Sequence, residues 1–459
     1  IENSNMYFFY LRPRRFGKSL TLSMLENYYD INKKDDFETI FGGLYIGKNP
    51  TPEHNSYLVI HLNFVEVDSG LDDYKEGLDT HCRLVFEDFC TRYAALLPQG
   101  TKEEMKSEQG AIAQLRFLCQ KCAEVKQKIY LFIDEYDNFT NMILSSEEHL
   151  ERYKGQTHGE GYLRRFFNTI KGAANTSLGR IFVTGVSPVT MDDLTSGFNI
   201  GTNYSLAPEF NELTGFTEEE VRDMLSYYAG VLSFNHTVDE LIEIMKPWFD
   251  NYCFAINSYG KTTMYNSIMV LNFVDNYIRN DYHIPNKMVE PNIRIDYSKI
   301  RMLIRHDKEF AHDASIIQEL VTKGYATGNL VENFPADRIN DPDNFLSLLF
   351  YFGLVTIDGE YKGSTKFIIP NEVVRDQIYT YLLDTYREND LTFEQYDKNK
   401  LESRLAYDGD FKPYFDYIAD CLKRYSSQRD KQKGEAYVHG FTLAMTSQCK
   451  FYRPISELD

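Results

Sequence analysis

The stretch Tyr7 to Leu25, Y-F-F-Y-L-R-P-R-R-F-G-K-S-L-T-L-S-M-L, restricts the fold more than any other part of the chain. An apolar strand runs into a tight loop ending in Gly17-Lys18-Ser19, and a helix follows. Successive backbone N–H groups at such a turn, with the positive end of the next helix, hold an anion. Lys18 can reach the outer phosphates of a nucleoside triphosphate, and Ser19 can ligate Mg²⁺. The expected nucleotide contacts are Arg14, Arg15, Phe16, Gly17, Lys18, Ser19 and Leu20, with ATP and Mg²⁺ as cofactors. The pattern G-x-x-x-x-G-K-[ST] calls for glycine where this chain has Arg12, followed by Pro13, so the match is partial.

A loop of this kind needs a parallel sheet behind it, and the next segments supply one. Tyr57 to Val67 is rich in β-formers and reads as a second strand, and Leu78 to Leu97 and Ala111 to Lys126 have helical apolar spacing. Lys128 to Asp137, K-I-Y-L-F-I-D-E-Y-D, is an apolar run ending in acids, the pattern of a buried parallel strand delivering carboxylates to the sheet's C-terminal edge. Glu151 to Gly161 reads as a mobile loop, Tyr162 to Ala173 as a helix, and Arg180 to Gly185 as another buried strand. The expected class is α/β, a P-loop NTPase parallel sheet with helices on both faces, followed by a helical subdomain and a winged-helix-like unit.

Asp134 is suited to hold Mg²⁺ through a water while Ser19 binds it directly, and Glu135 to polarise an attacking water as general base. The alternative is a strand end whose acids are only solvated. Asp137 belongs either to the same magnesium shell or to the exposed loop. Thr184, at the end of the next core strand, offers a hydroxyl at the height of the γ-phosphate, so Glu135, Lys18 and Thr184 form the candidate catalytic set. Arg14 and Arg15 could touch phosphates or pair with acids of the neighbouring strand. Arg164 and Arg165 could serve a neighbouring subunit of a homo-oligomer or simply form a solvated helix face.

The net charge of −19 opposes broad attraction to nucleic acid. No apolar run approaches the roughly 18 residues that span a bilayer, which with the absence of a signal-peptide pattern suggests a cytoplasmic chain without membrane partners. Seven scattered cysteines fit reduced thiols, and Cys119 and Cys122 read as buried helix residues. The 34 Tyr and 32 Phe read as core packing, because a single Trp and no repeating aromatic spacing give no stacking platform. The first residue is not Met and the chain opens almost directly into the loop strand, which reads as a clipped end.

The expected divisions are 1–214 for the P-loop core, 215–281 for a helical lid opened by the capping box at Thr217, and 282–343 for a linker with helices. Residues 344–388 read as a winged-helix-like unit: a helix, a strand at Leu354 to Ile357, a turn at Asp358-Gly359, a strand at Lys366 to Ile369, and a further helix. A plain structural hairpin explains the same pattern. Residues 389–459 form a helical tail.

These motifs in order, R-P-R-R-F-G-K-S at Arg12, L-F-I-D-E-Y-D at Leu131, V-T-G-V-S-P at Val183, S-G-F-N at Ser196 and L-T-G-F-T-E-E-E-V at Leu213, resemble the AAA-ATPase-like proteins, which are widespread in bacteria. The resemblance continues through D-N-Y-C-F at Asp250, L-L-F-Y-F-G-L-V-T-I at Leu348 and I-P-N-E-V-V-R at Ile369. It implies a Mg-ATP-binding ATPase whose phosphate loop lacks the first glycine as this one does. It also implies a C-terminal PD-(D/E)xK nuclease-like effector, whose first helix Glu435 to Gly440 resembles and whose catalytic strands would lie beyond Asp459. Cys253 departs from the family, which more often has an arginine there. The competing expectations are a nucleotide-binding scaffold with negligible turnover and a DNA-binding regulator acting through the winged-helix-like unit.

Overall fold

The computed structural model describes residues 1–67, 74–138, 161–173, 176–189, 201–289, 316–339, 341–388, 395–425 and 434–447. The expected loop at Glu151 to Gly161 lies, but for Gly161, outside them, as do Ser196 and residues 290–315 of the span read as linker with helices. The chain divides into two compact units, Ile1–Gly215 with Val331–Phe352, and Phe216–Leu330 with Gly353–Asp459.

Five parallel strands build the first unit: β1 (Tyr7–Leu11), β2 (Leu58–Asn63), β3 (Ile129–Asp134), β4 (Leu178–Gly185) and β5 (Thr202–Asn203), in the order β2-β3-β4-β1-β5. β1 and β3 are buried at every position, and both are apolar throughout but for Asp134 at the end of β3. The β2 segment leaves the sheet earlier than its β-rich composition suggests. The Asn63 side chain accepts from the Val65 amide and starts a 3₁₀ turn at Phe64–Glu66.

Helices cover both faces. α1 (Lys18–Tyr29) sets Leu22 against Phe8, Tyr10, Val59, Tyr130, Phe132 and Phe182. These are the even-numbered positions of β1, β3 and β4 and an odd-numbered one of β2, whose side chains alternate between faces. Many of the chain's aromatic rings meet here, with Phe8 stacked on both Phe182 and Tyr204. α2 (Tyr74–Arg92), α3 (Gly110–Glu124) and α4 (Tyr162–Ala173) follow. On the other face the odd-numbered Tyr7 donates its hydroxyl to the Lys171 carbonyl of α4. Cys119 and Cys122 are buried in α3, and burial pushes the Cys119 thiol up to about 11 and raises Cys122 as well. No described helix is long and apolar enough to cross a membrane.

In the second unit, α5 (Glu218–Val231) starts at the expected capping box, in which Thr217 and Glu220 exchange hydrogen bonds with each other's backbone amides. α6 (Val238–Phe249) has a second box, Thr237 with Glu240, and α7 (Ser267–Arg279) completes an apolar cluster around Leu241, Met245, Phe249, Phe273 and Tyr277. Cys253 is buried here, with its amide donating to the Thr356 hydroxyl.

The smaller sheet differs from the expected hairpin in three respects. It has three antiparallel strands, β6 (Ala326–Gly328), β7 (Thr356–Tyr361) and β8 (Ser364–Ile368), in the order β6-β8-β7. Thus it draws one strand from the span read as linker. The turn lies at Lys362-Gly363, both in the left-handed region with φ 52° and 84°, and not at Asp358-Gly359. Asp358-Gly359 instead occupies a bulge between Ile357 and Glu360 in the pairing of β7 with β8, with Gly359 at φ 87°. The helix expected near Asn344 is Pro342–Tyr351, and it belongs to the first unit, where the Val331 amide donates to Ser347 and the Glu332 carbonyl accepts from Asn203.

Candidate functional site

The C-terminal ends of β1, β4 and β3 lie side by side, with Leu11 opposite Gly185 and Ile133 opposite Val183. Ligands of open α/β sheets bind beyond this edge. The loop leaving β1 takes its left-handed turns at Arg15 (φ 71°) and Gly17 (φ 89°). Arg12 is not among the positive-φ residues, so the backbone conformation at the position of the missing glycine tolerates a side chain. Gly17 is the N-cap of α1 and provides no capping side chain, so the first amides of the helix face the loop without one.

Lys18 is only 6% exposed. Its ammonium folds back over the loop, 3.1 Å from the Arg12 carbonyl, 3.3 Å from the Pro13 carbonyl and 3.9 Å from Glu135 Oε1. The Ser19 hydroxyl donates to Asp134 Oδ2 at 2.6 Å, and the Glu135 amide donates to Asp134 Oδ1 at 2.9 Å. Lys18, Ser19, Asp134 and Glu135, predicted from two separate motifs, therefore form one cluster. Burial raises the Asp134 carboxyl above the ordinary range and Glu135 adds to this, while the Ser19 hydrogen bond, Lys18 and His61 pull it back. Glu135 stands at φ 48°, partly exposed, where the chain turns out of the sheet.

The other predicted residues take different places. Thr184 is buried and donates its hydroxyl to the Tyr10 carbonyl at 2.6 Å, a contact inside the sheet between register partners. The Phe16 side chain is buried and that of Leu20 is 66% exposed. Arg14 and Arg15 are half-buried. Arg164 is half-buried and Arg165 exposed, with its guanidinium 5.6 Å from the Tyr162 ring centre. Asp137 is neither an exposed loop residue nor turned to Ser19. It is buried, and its carboxylate accepts from the Val186 amide and, at 2.6 Å, from the Ser187 amide. Gly185 leaves room for this contact, because a Cβ there would stand 2.2 Å from Asp137 Oδ1.

Two features escaped the motif reading. One is the pairing of His61 Nδ1 on β2 with Glu26 of α1 at 2.5 Å, on the same sheet face as Asp134. The alternation of β2 put His61 on that face, but nothing in the sequence pointed to Glu26. The other is the side chain of Arg12, 1% exposed, which donates to the carbonyls of Leu11 at 2.9 Å, Ser205 at 2.7 Å and Phe210 at 2.8 Å. Its guanidinium also lies 4.3 Å from the centre of the Tyr10 ring. An arginine at the end of a fully apolar strand must find acceptors, and that was the available signal.

The donor set suits magnesium carried by a nucleotide. Such an ion takes a hydroxyl and a carboxylate from the protein and its remaining oxygens from phosphates and water. Ser19 and Asp134 supply that pair. Among the described residues no group of three or more His, Cys, Asp or Glu side chains could hold a metal by itself.

Residues 1–195 match a protein family described as AAA-ATPase-like, predicted AAA-ATPase. Three solved structures are loosely similar, each over 83% of this chain and 88% of the other: Cdc6p from Pyrobaculum aerophilum, the Aeropyrum pernix ORC2 protein in ADPNP–ADP complexes, and the Aeropyrum pernix ORC1 protein in complex with DNA. Identities are 12%, 12% and 11%, and TM-scores 0.30, 0.36 and 0.30. No curated protein matches the chain.

Proposed function

We propose that the chain, whose residues 1–195 match the model of a predicted AAA-ATPase family, binds Mg-ATP at Arg14–Leu20 and hydrolyses it to control an attached nuclease-like effector. The observation that carries this reading is the convergence of the Ser19 hydroxyl on Asp134 at 2.6 Å, with Lys18 beside Glu135. Backbone amides from Arg14 to Leu20 cradle the phosphates at the positive end of α1. Lys18 exchanges the Arg12 and Pro13 carbonyls for phosphate oxygens, which are stronger partners for an ammonium. Ser19 would hold the Mg²⁺ directly and Asp134 through a water, in place of their mutual hydrogen bond. Bound Mg²⁺ supplies charge neutralisation on the outer phosphate oxygens. Glu135, at the mouth of the site, orients the attacking water and accepts its proton.

Magnesium-dependent phosphate release by the purified chain tests this, with Lys18→Ala and Glu135→Gln as controls. The proposal expects turnover in the parent and a loss of about 10²-fold or more in each variant. Turnover in the variants equal to the parent's would refute it. A second reading, a nucleotide-binding scaffold, is favoured by the engagement of Lys18 with two backbone carbonyls. It expects ATP to raise the Tm while phosphate release stays at background.

A further inference from the structure

Arg12 connects the phosphate loop to a distant segment of its own unit. Its guanidinium donates to the carbonyls of Ser205 and Phe210, and the Phe210 carbonyl also accepts from the Tyr10 hydroxyl at 3.2 Å. The Leu11 amide donates to the Ser205 hydroxyl at 2.7 Å, and the Gly215 amide to the Phe16 carbonyl at 2.9 Å. Both ends of the loop are therefore bonded to one connector, 205–215, after which the second unit begins at Phe216. The backbone carbonyl of Arg12 is also one of the two that hold Lys18. One residue thus carries the resting partner of the phosphate-binding lysine on its main chain and the connector on its side chain.

We propose that Arg12 is a positioning residue that transmits the departure of Lys18 from the loop carbonyls to the 205–215 connector. A charge-assisted bond to a buried carbonyl is strong and directional, so a shift of the Arg12 peptide moves its guanidinium against Ser205 and Phe210. Glycine at this position, as the usual loop pattern has, makes the loop and loses the strap. The strap itself is a property of the nucleotide-free chain, and its response to ligand rests on the Mg-ATP reading above.

Amide hydrogen exchange of the full chain with and without Mg-ATP tests both parts, in the parent, Arg12→Gly and Arg12→Lys. Without nucleotide, Arg12→Gly is expected to speed exchange across 205–215 by about tenfold or more while β2 and β3 keep the parent's protection. With Mg-ATP, the parent changes its exchange across 205–215, and Arg12→Gly binds ATP without that change. Arg12→Lys keeps the charge but not the fork that holds two carbonyls, and is expected to lie between the two. It carries the test if the glycine variant does not fold. Parent-like exchange across 205–215 in the variants without nucleotide, or the full ligand-induced change in them, would overturn the proposal. A parent that binds no ATP would overturn the transmission step together with the Mg-ATP reading, while the nucleotide-free comparison still decides the strap.

Discussion

The Ser19 hydroxyl donates to Asp134 at 2.6 Å, joining the first turn of α1 to the end of β3 across the intervening strand β4. That bond closes the site on a carboxylate raised by burial. Because the folded chain binds the Asp134 proton more tightly than the unfolded chain does, its contribution to stability is present below the unfolded value of about 3.9 and is lost as pH rises through the folded value. At pH 7 the carboxylate is a cost that a cation relieves. Asp134→Asn should therefore raise the Tm by a few degrees at pH 7 without ligand and abolish any further rise on adding magnesium with ATP. Thermal unfolding checks this, and a destabilised variant that keeps the magnesium response would contradict it.

His61 is raised as well, but by a partner and against its burial. Burial draws its pKa down, but the Glu26 carboxylate at 2.5 Å outweighs this, and Asp134 and Glu66 add to it, so the net shift is upward. A histidine raised in the folded state stabilises fully below about pH 6.5, and that stabilisation is lost as pH rises through the folded value. Glu26→Gln should cost about 1 kcal/mol at pH 6 and clearly less at pH 9. Urea unfolding at the two pH values distinguishes this from a pH-independent packing defect.

Gly185 lies where β4 meets Asp137 and Tyr136. A methyl group there would sit 2.2 Å from Asp137 Oδ1 and 2.7 Å from Tyr136 Cδ1, so Gly185→Ala must dislodge the carboxylate from the Val186 and Ser187 amides. The expected cost is about 1–3 kcal/mol in urea unfolding. A neutral substitution would mean that the clamp is dispensable.

Arg15 holds a left-handed conformation, which costs a non-glycine residue about 1–2 kcal/mol. Arg15→Gly relieves that strain but adds unfolded-chain entropy of about 0.4–1 kcal/mol, so the two largely offset and the Tm should hardly move. ATP affinity should nevertheless fall by about tenfold if the guanidinium reaches phosphate. Unchanged affinity in a calorimetric titration would remove Arg15 from the set of contacts.

The fold was legible where chemistry is local. β1 and β3, covered on both faces, are apolar runs up to Asp134 at the end of β3, and Thr217 with Glu220 announces α5 through a bond between near neighbours. The cluster of Lys18, Ser19, Asp134 and Glu135 followed from two motifs whose spatial relation is fixed by a parallel sheet. The turn between β7 and β8 was misplaced because Asp358-Gly359 is the stronger turn dipeptide, yet a bulge absorbs it and Lys362-Gly363 makes the reversal. β6 is three residues long, too short for a periodic signal. Asp137 was misread and the side chain of Arg12 missed for a shared reason: their partners, at Val186 and Ser187 and at Ser205 and Phe210, are brought to them only by tertiary structure.

The most direct measurement is a calorimetric titration of ATP, with and without magnesium, into the parent chain and Lys18→Ala. The cluster around Lys18 requires magnesium-enhanced binding to one site in the parent, weakened by about tenfold or more in the variant. Equal binding by parent and variant, or binding by neither, would contradict the assignment of this loop to a triphosphate.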